Sequence, residues 1–173
     1  MRTLNVHGKT VAVAVAFMGI LTTVVAPANA GSPNFVGKVT AALDSDQNVQ
    51  VCWKEAKLDK NQGIDYAASA NASATFRCVN NLGVCPGAIP PVIVTGPVTA
   101  EGTFPSGKKG QVTACLTIEV PPTPTDPSCS GPLTLNLTEI TYADITINDL
   151  TSPAGPVAAT PSSLSAVAFV CRF

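Results

Sequence analysis

Histidine is almost missing from this chain. The single copy, His7, lies within the first 30 residues. Beyond that point no Ser-His-Asp or Cys-His arrangement can be built, and no histidine-based metal site either. Charge is scarce at 12% of residues, and aromatics make up 5%. Long runs of Leu, Glu, Lys and Arg are lacking, which argues against a helical bundle. No basic stripe runs along the chain, so nucleic acid is not an expected partner. No C-x-x-C pair occurs, so the usual spacing of a thiolate metal site is missing as well. No cofactor is expected.

What is present begins with an export signal. Arg2 and Lys9 supply a positive start, Val11 to Val25 an uncharged apolar run, and Ala28-Asn29-Ala30 a small-x-small cleavage site. The apolar run falls short of the ~20 residues a membrane-spanning helix needs. The expected organisation is therefore a cleaved signal over 1–30 and a single β-sandwich domain over 31–173. The processed chain would begin at Gly31, be secreted and carry no transmembrane segment. The first 30 residues hold two of the ten bases and none of the eleven acids, so residues 31–173 carry a net charge of −3. That is too mild to specify a charged partner.

Six cysteines follow the signal: Cys52, Cys78, Cys85, Cys115, Cys129 and Cys171. An even count in an exported chain predicts three disulfides, in any of 15 connectivities. Side-chain parity singles out one pairing. Cys52 is out of phase with Val51 and Trp53, and Cys115 with Ala114 and Leu116, so both point away from the core and could bridge on an outer face.

Period-two alternation dominates the rest. Phe35, Val39, Ala41 and Leu43 share one parity. The turn Asp44–Asn48 follows, then Val49, Val51 and Trp53, which reads as a hairpin with Trp53 in the core. After the turn Asp59–Gly63, the residues Tyr66, Ala68, Ala70, Ala72, Ala74, Phe76 and Cys78 make one long strand with an alanine inner face. Such a stripe leaves room for a ligand or for large residues opposite, and packing density favours the second. Val92 to Ala100 forms a strand with a bulge or sheet edge at Gly96-Pro97. Val112 to Val120 forms another, and Pro121–Pro132 an ordered loop held by Cys129. From Leu133 the phase slips at Glu139 and again before Ile145, which fits two strands or one bulged strand. Thr151–Ser163 reads as a loop and Leu164–Phe173 as the last strand. The expected fold is all-β: an antiparallel β-sandwich, immunoglobulin-like in general architecture and stapled by disulfides. The closing Phe173 also suits an outer-membrane barrel strand, but the cysteines, Pro-rich loops and lack of aromatic girdles do not.

Several patterns invite a chemical reading, and each has a plainer one. Ser106-Gly107-Lys108 has the look of a serine–lysine dyad but sits in a Gly-rich turn. Asp44, Asp46, Asn48 and Glu55 follow the spacing of a calcium loop, yet Val49 stands where that loop needs glycine. Asp59, Asn61 and Asp65 surround Gly63 in a second oxygen-rich turn. Ordinary turn chemistry accounts for both sets. Asn71-Ala72-Ser73 and Asn136-Leu137-Thr138 match the glycosylation acceptor pattern but fall inside strands. No catalytic, cofactor-binding or metal residue is assigned.

The blocks Val51–Ala56, Ser106–Thr113 and Tyr142–Ile147 resemble those of a group of small exported bacterial proteins of unknown function. The resemblance covers most of the chain after the signal. It implies an exported β domain and brings no catalytic motif. The expectation is a non-catalytic surface or envelope protein whose partner is an envelope or extracellular protein or a glycan. A small-molecule or carbohydrate-binding module is the first alternative, and a small hydrolase without histidine the second.

Overall fold

The computed structural model describes residues 32–125, 129–152 and 155–172. The expected signal and the expected new terminus, Gly31, lie outside them. Every described element is a strand: β1 (Asn34–Phe35), β2 (Thr40–Leu43), β3 (Val49–Ala56), β4 (Gly63–Val79), β5 (Val92–Pro105), β6 (Gln111–Ile118), β7 (Thr134–Asp149), β8 (Val157–Ala158) and β9 (Leu164–Val167). All pairs between strands are antiparallel. In sheet A, β3 pairs with β6 on one side and with β1 and β2 on the other. In sheet B the order is β5-β4-β7, and β8 and β9 both pair along the far edge of β7.

The alternation seen in the sequence decides which side chains face inward. On β3, Val49, Val51, Trp53 and Glu55 are buried, and on β4 so are Ile64, Tyr66, the four alanines and Phe76. The alanine stripe meets large neighbours within its own sheet, with Ala68 opposite Ile147, Ala72 opposite Tyr142 and Ala74 opposite Ile140. Each alanine is at most 4% exposed, so the stripe is core rather than a pocket. The sheets meet through Trp53 and Tyr66, whose rings are 4.7 Å apart, and Phe104 packs edge-on to Trp53 at 5.3 Å. Tyr142 donates across the sandwich to the Gln47 carbonyl at 3.0 Å.

β7 is one bulged strand. Its register against β4 shifts between Ser69/Asn71 and between Thr75/Phe76, and Asp144 adopts φ +55° in the first shift. Each bulge resets the inward phase, so Ile140, Tyr142, Ile145 and Ile147 are all buried. At Gly96-Pro97 the register with β4 is uninterrupted. There is no bulge there, and Pro97 is tolerated because β5 is an edge strand. Two expectations need correction. The segment read as a loop between β7 and β9 contains β8, and Thr160 on its far side bonds to Val39 and Ala41 of the opposite sheet. The last strand ends at Val167 rather than Phe173, because the chain leaves sheet B to reach the loop after β4. There Arg172 exchanges backbone bonds with Gly83 and Cys85.

Three disulfides join the six cysteines: Cys52–Cys115, Cys78–Cys129 and Cys85–Cys171. The first is the pairing that parity picks out, between facing residues of β3 and β6. It lies within one sheet. The characteristic bridge of antibody domains crosses the core between sheets, so the likeness to that fold extends to the two-sheet arrangement only.

Candidate functional site

No histidine, cysteine, aspartate or glutamate cluster of three or more with metal-binding spacing forms among the described residues. The Asp44 carboxylate is occupied by its own turn. It accepts from the Asp46 and Asn48 amides at 2.8 and 2.9 Å and from the Asn48 side chain at 3.1 Å. Desolvation pushes this carboxyl up, and the bonds from Asn48 and Asp46 outweigh it and hold it below its ordinary value. Asn48 in turn accepts from the Val120 amide. Glu55, which the calcium spacing would bring to the same loop, points into the core instead. Asp65 is engaged on the outer face of sheet B, where Thr103 donates to it at 2.6 Å.

Ser106 is a structural hinge pin. It is 1% exposed. Its hydroxyl donates to the Asp59 carbonyl and accepts from the Gln62 amide. The Asn61 amide bonds to Gly107, and the Leu58 amide to Gly110. The two turns joining β3 to β4 and β5 to β6 are thereby stacked. Gly110 has φ +62°, and a Cβ there would fall on the Leu58 carbonyl oxygen. The Ser106 hydroxyl is thus committed on both sides, while Lys108 is exposed, so no serine–lysine dyad forms.

The polar cluster that sequence reading missed lies inside the sandwich. Glu55 is fully buried and accepts from the Tyr66 hydroxyl at 2.7 Å. Burial raises its pKa, the Tyr66 bond opposes that, and the Asp149 charge adds to it. Tyr66 is raised as well, by burial and then by Glu55 as bond acceptor and as charge. Among the described residues, the second Glu55 oxygen and the Trp53 indole N–H have no hydrogen-bond partner. Asp149, 2% exposed, accepts from the Thr151 and Ser152 amides. Glu55 continues the parity of Val49, Val51 and Trp53, which is the signal that identifies it. These groups are sealed from solvent, so they hold two sheets together rather than meet a substrate.

The accessible chemistry lies on the outer face of sheet B. Across β5, β4 and β7 the outward residues run Thr95–Ser73–Thr141, Thr99–Ser69–Thr146 and Glu101–Ala67–Asn148, each half-buried or exposed. Ser69 and Thr146 share a hydrogen bond at 2.9 Å, and Asn71 donates to Asp144 at 3.0 Å. The second of these bonds engages the first acceptor asparagine with its neighbour strand. The result is a face of small hydroxyl and amide side chains, with Arg77 as its base and Asp65, Glu101, Glu139 and Asp144 as its acids. Beside it, an open groove of about 390 Å³ runs between β5 and the chain after β6, with Glu101 and Glu119 on opposite walls and Pro121-Pro122 along one side. Trp53, 3% exposed, is no platform for a sugar ring. No protein-family model, curated protein or solved structure matches this chain.

Proposed function

We propose that this is an exported, non-catalytic β protein that acts through the outer face of sheet B as an interaction or structural component of the cell surface or envelope. Three disulfides belong to an oxidising compartment, and the N-terminal signal supplies the route to one. The observation that carries the reading is the hydroxyl-rich face itself: three strands wide, net acidic, and with Ser69, Asn71 and Thr103 already ordered by bonds to neighbours in the sheet. Such a face costs little side-chain entropy to cover. It suits an extended partner with many hydrogen-bonding groups, an envelope or extracellular protein or a glycan. The test is binding of the purified protein to isolated envelope fractions, compared with Ser69→Lys and Thr99→Lys. The lysine variants should lose binding, whereas Thr40→Lys on sheet A should keep it. Equal binding by all of them would overturn the assignment.

The groove between Glu101 and Glu119 supports a second reading, a module for a small cationic molecule. Calorimetric titration with a short lysine peptide tests it, and Glu119→Gln should weaken that binding if the reading holds.

A further inference from the structure

The two edge strands on one side of the sandwich, β5 and β6, differ in what they offer a further strand. In an antiparallel pair, alternate residues turn their backbone groups toward the partner and away from it. The direction on each edge follows from bonds already described. Lys54 turns its carbonyl toward Val36 of the β1 side, and it stands opposite Thr113. Thr113, Cys115 and Thr117 therefore direct their N–H and C=O groups out of the sheet. The 4.0 Å Cα separation of Cys52 and Cys115 marks the same class of pair. Asp65 likewise turns its carbonyl toward Leu150 on the β7 side, which puts Pro97, opposite Asn71 in the same phase, on the open edge of β5. Proline there offers no donor, and Glu101 adds a charge. β5 is thus blocked against pairing, whereas β6 carries no proline and no charge, and nothing else among the described residues pairs with its outer edge.

We infer that the outer edge of β6 pairs antiparallel with β6 of a second copy about a two-fold axis near Ala114. Charge names the second copy as the occupant. At the Gln111 end of β6 stand Lys108 and Lys109, stacked on the turn that carries Lys57, Asp59 and Lys60, so that four bases and one acid leave this end at +3. Beyond Ile118 stand Glu119 and, tied to it through the Asn48–Val120 bond, the Asp44–Asp46 turn. The edge is basic at one end and acidic at the other, so a two-fold rotation sets each end against its complement, twice. Such a pairing extends sheet A across both copies and leaves both hydroxyl-rich faces free, so this inference does not depend on the first reading of the function; it engages Thr117 and Glu119 of the groove and therefore competes with the second.

The experiment is sedimentation velocity of the purified protein at concentrations up to about 100 µM, the range for a small interface, in low and high salt. A dimer that weakens with salt is expected. Thr113→Pro removes an outward donor without touching the β3 ladder and should leave a monomer; circular dichroism checks that it is folded. Thr99→Pro, on β5, should leave the dimer intact. Lys109→Glu should raise the dissociation constant about tenfold, since each end loses an exposed ion pair and gains a like-charge contact, and adding Glu119→Lys should restore it. A monomer under all conditions overturns the inference. So does a dimer that survives Thr113→Pro, or one that the double charge reversal fails to rescue.

Discussion

Sheets A and B solve the same problem with different means. Sheet B is built from strands of 17, 14 and 16 residues. Its central strand pairs along nearly its whole length on both sides, and its inner face is a small-residue stripe against Ile and Tyr neighbours. A slip by one residue would turn that whole face to solvent, so the pattern itself fixes the register. Sheet A has strands of eight residues and fewer. Two of its rows are short pieces laid along one edge of β3. It carries less patterned surface per strand, and it is joined covalently at its middle by Cys52–Cys115. Long strands hold register through repetition, and short ones through a cross-link and through polar bonds to the facing sheet.

The largest effect that probes this contrast is reduction. Each disulfide contributes about 2–4 kcal/mol by constraining the unfolded chain, and together they are comparable to the whole stability of a domain of this size. Thermal melts should show a large fall with reductant and none with a chelator. Replacing Cys52 and Cys115 together by serine should lower Tm while leaving sheet B amides protected longest in hydrogen exchange. Uniform loss of protection would show that the two sheets unfold as one unit.

Next comes overpacking of the alanine stripe. Ala72→Leu has no space opposite Tyr142 and should cost about 1–3 kcal/mol in denaturant unfolding. A neutral outcome would mean that the interior of sheet B tolerates bulk as a ligand cavity would. Ser106→Ala should cost a similar or slightly smaller amount, about 1–2 kcal/mol, because the Gln62 amide loses its buried acceptor. Its effect should concentrate in the two stacked turns.

The smallest effect is a pH dependence centred on Glu55, the carboxylate sheet A sends into the core. Its pKa is raised in the folded protein, so the folded state holds the proton more tightly than the unfolded chain. The corresponding stability is fully present below the ordinary glutamate value and is lost as pH rises through the raised one. Glu55→Gln should flatten that slope and make the protein the more stable variant on its alkaline side. Stability curves of the two proteins from pH 4 to 8 check the sign. A slope that survives the substitution would show that Glu55 is not its source.

The sequence by itself determined which face of each strand turns inward. Alternation is local, and burial rewards it residue by residue. The Asp44–Asn48 hairpin, the alanine face of β4, the two phase slips that became bulges and the outward direction of Cys52 and Cys115 were all legible for that reason. Parity states a direction but names no neighbour. Only the tertiary structure decided that Cys78 joins Cys129 and Cys85 joins Cys171, since Cys85, Cys129 and Cys171 lie outside the strands and have no phase to read. It alone placed Glu55 against Tyr66 on the other sheet, added β8 and drew the chain away after Val167. It also gathered Lys57, Lys60, Lys108 and Lys109, from two turns far apart in sequence, at one end of a chain whose overall charge is nearly neutral. These are contacts between segments whose separation along the chain carries no pattern, so they are set only when two sheets close on a common core.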